Sequence, residues 1–364
     1  MISKIFPSKR IAIYTAKMFV MRSLAVLAAL IVILTTLDLL GESGKILRYP
    51  GNGDAELWRY ASLRVPQLIA RFLPFAVLLG TLITLATLNQ NSEVVSMKAA
   101  GISAHQILAP LMLASLGIAA ISFVFNERIV TRATDALSTW EKVEYGPVPR
   151  DTGLRTNVWV RWEDDLILTR EVRTTSGATE LRAISIFDRD YETLKRIVRA
   201  QRGVRSGDGW RLHQVEIFDV DTGATRKLPT VHYGPGLEPT QFTLANISAA
   251  EQDFATLRRS VEQLKLTGRS TTALESGLWH KISGPLSVVL MPLLAGVAAF
   301  GLARSGQLFL RAVIGMALGF AYFVVDNFAL AMGNLGAYPP LLAAWAPFVL
   351  FLLIGETVLV RTEE

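Results

Sequence analysis

The sequence predicts an α-helical polytopic membrane domain of six transmembrane helices, into which an all-β, jelly-roll-like domain is inserted. Three observations carry that expectation. Of the 364 residues, 51% are hydrophobic and 19% charged, a balance that belongs to an integral membrane protein. Six stretches stay apolar over roughly the 17 to 25 residues that a hydrocarbon core requires. Between the third and the fourth, residues 150–227 hold 15 Arg/Lys and 13 Asp/Glu, so 28 of the chain's 68 formally charged side chains lie where lipid cannot accommodate them.

The first span runs from about Met18 to Leu40, with Arg22 near one end and Asp38 near the other. No small-x-small cleavage site follows it, but Asp38-Leu39-Leu40-Gly41-Glu42, so it reads as a span and not as a cleavable signal. The second covers about 71–88 and the third about 105–125. The apolar pattern returns at about 282–303, 310–332 and 341–360. Six spans put both termini on one side. Lys4, Lys9, Arg10, Lys17 and Arg22 favour a cytoplasmic N-terminus, which places the charged insert in the periplasm or outside the cell. The short loop 303–307, with Arg304, then falls on the cytoplasmic side.

Spans two and three are joined by NSEVVSMKAAGIS, Asn91 to Ser103. It reads as a helix of two turns, with Asn91 or Ser92 as N-cap, Glu93 in the first turn, Lys98 in the last and Gly101 as the stop. Such a helix either docks on something or lies on the headgroups. In the insert, runs such as NVWVRW, LILTREV, LRAISIFD and WRLHQVEIFDV alternate with period two and are broken by turn signals, which predicts an antiparallel sandwich or jelly roll. After it, Ser248 and Glu251 form an S-x-x-E capping box before Phe254, Leu257, Val261 and Leu264 at helical spacing, stopping at Gly268. The expected domains are therefore 1–127, with the loop helix at 92–101; 128–270, ending in the amphipathic helix 248–267; and 271–364.

Catalytic chemistry is not legible. The absence of cysteine excludes thiolate ligands and nucleophiles, and His105, His213, His232 and His280 have no metal-ligand spacing. DLLGESGKIL lacks the first glycine and the final Ser/Thr of a phosphate loop and follows a membrane helix, not a strand. The basic residues form no tract, so the formal charge of +6 speaks for lipid headgroups and not for nucleic acid. Asp326 is the clearest intramembrane charge, either a packing or cavity-lining group or a proton relay. Asp38, Arg71, Lys281 and Glu356 lie near span ends, within reach of snorkelling. Gly315 and Gly319 form a GxxxG that permits close helix approach.

This order of parts, together with LPFAVLLGTLITLATLNQNSEVVSMKAAGIS (residues 73–103), LWHKISGPLSVVLMPLLAG (278–296) and GFAYFVVDN (319–327), resembles the YjgP/YjgQ family of lipopolysaccharide export permeases, the LptF and LptG type, over essentially the whole chain. Trp279-x-Lys281 and Asp326 look like the LptG branch. The resemblance implies a non-catalytic permease subunit of an ABC transporter in a Gram-negative inner membrane. It implies pairing with an LptF-type paralogue on an LptB-type ATPase dimer, where ATP and Mg bind, with no cofactor on this chain. It further implies extraction of lipopolysaccharide and delivery through a periplasmic jelly roll to a bridge of LptC and LptA, with spans one and five as lateral gates. Carried onto this sequence, it makes Ser92, Glu93, Val94, Val95, Met97, Lys98 and Gly101 the coupling helix. Asp38, Lys45, Arg48, Gly315, Gly319 and Asp326 become the lipid and gate positions. Thr35, Thr36 and Leu37 stand where LptG members can carry a lysine, so lipid contact rests on Lys45 and Arg48. An ATPase-coupled mechanotransmission or assembly permease that moves no lipid, or an ion-coupled carrier using Asp326, would share parts of this pattern.

Overall fold

A computed structural model describes residues 8–148, 155–175, 178–190, 193–243, 248–266, 270–301 and 308–363. Gly268 and the loop at 303–307 lie outside the described residues. Ten helices and six strands occur among them: α1 (Lys9–Ile46), α2 (Asp54–Gln90), α3 (Glu93–Ala99), α4 (Ala104–Phe125), α5 (Thr131–Lys142), β1 (Arg155–Trp162), β2 (Asp165–Thr175), β3 (Ala178–Asp190), β4 (Thr193–Ser206), β5 (Gly209–Asp219), β6 (Thr225–Tyr233), α6 (Pro239–Thr243), α7 (Phe254–Leu266), α8 (Thr272–Gly296), α9 (Leu308–Asn334) and α10 (Pro340–Glu363). The chain forms two compact units, 1–146 with 249–364, and 147–248. Residues 128–146 and 249–270, expected with the β domain, thus belong to the helical unit, because α5 and α7 pack on helices.

Six helices in the helical unit are long and apolar enough to cross a membrane. Their interior is built on α2, α4 and α8, whose Leu78, Leu88, Leu108, Leu111, Leu293 and Leu294 are fully buried or nearly so. By contrast α1 buries only Thr15, Phe19, Ser23, Leu27 and Ile46, four of them one turn apart in a narrow seam. The rest of its apolar surface faces outward, as lipid permits. Between lipid-soluble helices association comes from close backbone approach and polar contacts, not from the hydrophobic effect. Glycines supply the approach: Gly80 of α2 lies against Ser23 of α1, Gly296 of α8 against Leu108 of α4, and Gly355 of α10 against Leu293 of α8. The GxxxG of α9 is used in the same way, with Gly315 against Leu82 and Gly319 against Leu78 of α2. Leu78, Gly80 and Leu82 therefore seat both α1 and α9 on a single turn of α2.

In the β unit, one six-stranded antiparallel meander runs in the order β1-β2-β3-β4-β5-β6. The all-β class and its place in the chain match the sequence, while the strands follow one another consecutively where a jelly roll would cross over. The sheet is nevertheless rolled. Trp162 near one edge is 5.8 Å from the Tyr233 ring at the other, and Tyr233 donates its hydroxyl to Asp165. A crease makes this bend. Ladder pairing skips Asn157, Arg170, Ala183, Gln201, Gln214 and Pro229, which lie opposite one another across all six strands. Asn157, Ala183 and Gln214 take positive φ of 54°, 48° and 54° there, the left-handed backbone region that turns a strand out of its extended path. The inward residues step by three across the crease, Leu181 to Ile184 and Leu212 to Val215, so that both halves face one core. Trp210 closes that core, with its ring 5.3 Å from Phe242 of α6 and its indole N–H donated to the Leu237 carbonyl at 2.8 Å.

The amphipathic helix starts later than the capping box suggests. Asp253 is the N-cap, its carboxylate accepting the Thr256 amide at 2.8 Å, a bond that holds its carboxyl below the usual range. Glu251 instead reaches Lys142 of α5 at 3.9 Å, and residues 249–251 form a turn.

If the glycine seats position the spans, Gly319→Val is expected to destabilise the protein by about 1–3 kcal/mol through overpacking on Leu78. Gly117→Ala, with nothing within 4 Å of its added Cβ, should shift stability by no more than about 0.5 kcal/mol. Thermal unfolding in lipid nanodiscs distinguishes the two.

Candidate functional site

The connector between α2 and α4 folds as expected, into the seven-residue helix α3. Ser92 enters it at φ 58° without a side-chain cap, so the start is set by backbone geometry. The stop is stronger. Gly101 at φ +80° lets its own N–H reach the Lys98 carbonyl at 2.9 Å and the Ile102 N–H reach the Met97 carbonyl at 3.0 Å, the double bond of a Schellman motif. Val94 and Met97 turn inward and are buried at 7% and 8% exposure. They join the same core as Leu85, Leu88 and Ile107, so they anchor the helix and do not present it. Val95, Ser96 and Ala99 form the outward face. Glu93 lies within 3.4 Å of the Tyr14 hydroxyl and of the Asn91 amide, and Lys98 sits over the Phe300 ring at 5.2 Å. The result is a short rigid helix with one committed face and one exposed face.

At the opposite end of the spans, Asp38 is not snorkelling. Arg64 of α2 grips both its oxygens, Nε to Oδ2 at 2.9 Å and Nη2 to Oδ1 at 3.0 Å, and Tyr60 adds its hydroxyl at 2.7 Å. A bidentate charge-assisted pair of this kind fixes orientation as well as distance. One turn on, Glu42 accepts from Lys45 at 2.8 Å and from Tyr145 at 3.0 Å. Burial and that bond push the Tyr145 phenol above its ordinary range, so it is a permanent donor. Arg59 stacks on Trp140 at 4.5 Å. Lys45, with 63% of its side chain exposed, and Arg48, also exposed, remain open to an anion.

Three further carboxylates at or near the spans have partners. Lys281, 8% exposed, meets Glu127 at 3.1 Å, and His280 meets Asp326 at 3.1 Å. Glu356, on α10, is 3.1 Å from His105 on α4. Lys281 and Glu356 are thus held by partners and not drawn to the headgroups, and two histidines that lacked metal spacing reach carboxylates on other spans. Arg71 is exposed, as a snorkelling side chain would be. Among the described residues no group of three or more His, Cys, Asp or Glu could hold a metal.

Asp38, Lys45 and Arg48 thus share one end of the helical unit, Asp326 packs on His280, and Gly315 with Gly319 serve contact with α2. Sequence reasoning passed over Arg64, Tyr60, Glu127 and Phe300. Arg64 falls outside the expected second span, which begins at about residue 71 whereas α2 starts at Asp54, so it was not sought as a partner for Asp38.

Residues 13–361 match the family described as lipopolysaccharide export system permease LptF/LptG. The chain is 26% identical over 352 residues to the lipopolysaccharide export system permease protein LptG of Escherichia coli strain K12, covering 94% of each. It is also 26% identical over 325 residues to the protein of that name from Haemophilus influenzae strain Rd, covering 87% of this chain and 90% of that one.

The Asp38–Arg64 pair yields a direct check by double-mutant cycle. Asp38→Ala and Arg64→Ala should each lower the melting temperature in nanodiscs. The double variant should lose less than their sum, by about 0.5–3 kcal/mol; strict additivity would remove the pair from the account.

Proposed function

The chain belongs to the LptF/LptG family of lipopolysaccharide export system permeases, and from that premise we propose that it is the LptG-type permease half of an ATP-driven exporter whose power stroke enters through α3. A family match along nearly the whole chain supports the cargo. The observation that carries the mechanism is that α3 is anchored on one face by Val94 and Met97 and bare on the other at Val95, Ser96 and Ala99. A helix meant only to turn the chain needs neither the Schellman stop nor a second, solvent-facing side.

In this reading the exposed face of α3 seats on an LptB-type ATPase dimer, which holds the ATP and Mg; this chain hydrolyses nothing. Both termini are cytoplasmic and the β unit is periplasmic. An LptF-type paralogue completes the transmembrane cavity. Force on α3 passes directly into α2, and α2 carries the glycine seats of both α1 and α9 at Leu78, Gly80 and Leu82. The two lateral gate spans are therefore levered from one turn of one helix, and Gly315 and Gly319 act as the gate's bearing on α2.

At the outer end Asp38 is occupied by Arg64, so it fixes α1 to α2 and leaves lipid phosphates to the exposed cations Lys45, which would exchange Glu42 for the lipid, and Arg48, by charge-assisted hydrogen bonds. Asp326, partnered by His280, fastens the gate span α9 to α8. The extracted lipid passes to the β unit and onward to LptC and LptA.

Reconstitution with the ATPase and the paralogue tests this. Val95→Asp should cut ATP-dependent lipopolysaccharide release by about tenfold or more, because it buries an unpaired carboxylate at the ATPase contact. Glu93→Ala should lower it less, and both variants should melt as wild type. Full export by a normally assembled Val95→Asp complex would take α3 out of the mechanism.

A further inference from the structure

Where α4 passes into α5, residues Asn126–Val130 form a π-helical turn, and Thr131 returns its hydroxyl to the Asn126 carbonyl at 2.7 Å. Such turns insert a residue into a helix and are frequent where a side chain must be aimed for function. The side chain aimed here is Glu127. One of its oxygens takes the Lys281 ammonium of α8 at 3.1 Å; the other accepts the backbone N–H of Phe254, the first residue of α7. With side chains 8% and 15% exposed, Lys281 and Glu127 make the most buried ion pair among the described residues.

Stability alone does not call for ions at this place, since a well-packed apolar pair is often as stable as a buried salt bridge or more so. An apolar pair cannot, however, satisfy an orphan N–H at a helix N-terminus. Asp253 already caps Thr256, so the α7 terminus carries two carboxylates, its own and one lent by span three. Farther along, α7 is held by Lys265 to Glu275 at 3.0 Å, with the lysine 56% exposed, and by the apolar contacts of Leu257, Val261 and Leu264.

Along the chain α7 is the segment between the β unit, which ends at Ser248, and span four. We propose that Glu127 is the joint that makes α7 follow spans three and four, so that displacement of the spans reaches the β unit as work on the lipid. Lys281 is a positioning residue that holds the Glu127 carboxylate at the α7 terminus. This rests on the export reading above and deepens it.

The test uses the whole exporter in proteoliposomes, loaded with lipopolysaccharide and supplied with ATP. Glu127→Leu with Lys281→Met removes both charges and the acceptor while keeping apolar volume. Glu127→Gln with Lys281→Met removes the charges and keeps the acceptor. In the first, amide exchange over 254–258 should rise about tenfold, and lipid released per ATP hydrolysed should fall about fivefold. In the second, both should stay near wild type. Because the chain has no cysteine, Lys265→Cys with Glu275→Cys can be stapled by a bismaleimide, and the staple should restore the yield per ATP in the first variant. Normal exchange in the Leu/Met variant would show that Glu127 does not hold α7. Raised exchange with a wild-type yield would show that α7 does not transmit. If the Leu/Met variant fails to assemble, Glu127→Ala alone, which removes the acceptor and leaves Lys281 in place, should show the same rise in exchange over 254–258; unchanged exchange there would equally refute the joint. A wild-type exporter without ATP-dependent lipid release would overturn the export reading itself, and leave the exchange arm as the judge of the joint.

Discussion

A charge that enters the hydrocarbon of a bilayer must bring its partner with it, and the helical unit is organised by that requirement. Lipid tails give apolar helices no reason to prefer one another, so specificity falls to polar contacts and to places where backbones come close. Asp38 with Arg64 fixes α1 to α2, Glu127 with Lys281 fixes α4 to α8, Asp326 with His280 fixes α9 to α8, and Glu356 with His105 fixes α10 to α4. Each pair joins two spans, and the first three lie toward the end at which α1 turns into α2. The glycines act where charges cannot, deeper in the apolar layer, and three of them, Gly80, Gly315 and Gly319, meet at residues 78–82 of α2.

The β unit answers to different physics. In water its core can be apolar throughout, and the sheet obtains a closed interior by creasing along one row of six residues and rolling its edge strands together. Its charges stay on the outside as exposed pairs such as Arg161 with Asp164 and Lys195 with Asp221, each worth little individually. The same chain therefore uses ion pairs decisively in one unit and incidentally in the other.

What was legible in the sequence follows from which signals are local. Six spans, the loop helix with its Gly101 stop, and period-two strands are all patterns within a window of twenty residues, and all are present. Pairings are not local: Glu127 and Lys281 are 154 residues apart, and His280 and Asp326 are 46 apart, so no periodicity could join them. Period two tells which face a residue takes but not which strands are neighbours, so a crossing topology was expected where a consecutive meander is found. At α7 the motif Ser248-x-x-Glu251 lost to Asp253 because Lys142 and Glu127, from distant segments, set where that helix begins. Val94 and Met97 were read as a docking surface because apolar residues on a loop helix invite it, but the two adjacent turns of α2 and α4 cover them.

The central claim is that work enters this chain through the bare face of α3 from a separate ATPase on the cytoplasmic side. A single cysteine at Ser96 tests it most directly, since the chain has none of its own. In cells expressing the whole exporter, Ser96→Cys carrying a photoactivatable crosslinker should join the ATPase subunit, and a membrane-impermeant maleimide added to intact cells should leave the thiol unlabelled. Labelling from outside, or crosslinks confined to lipid, would contradict the account.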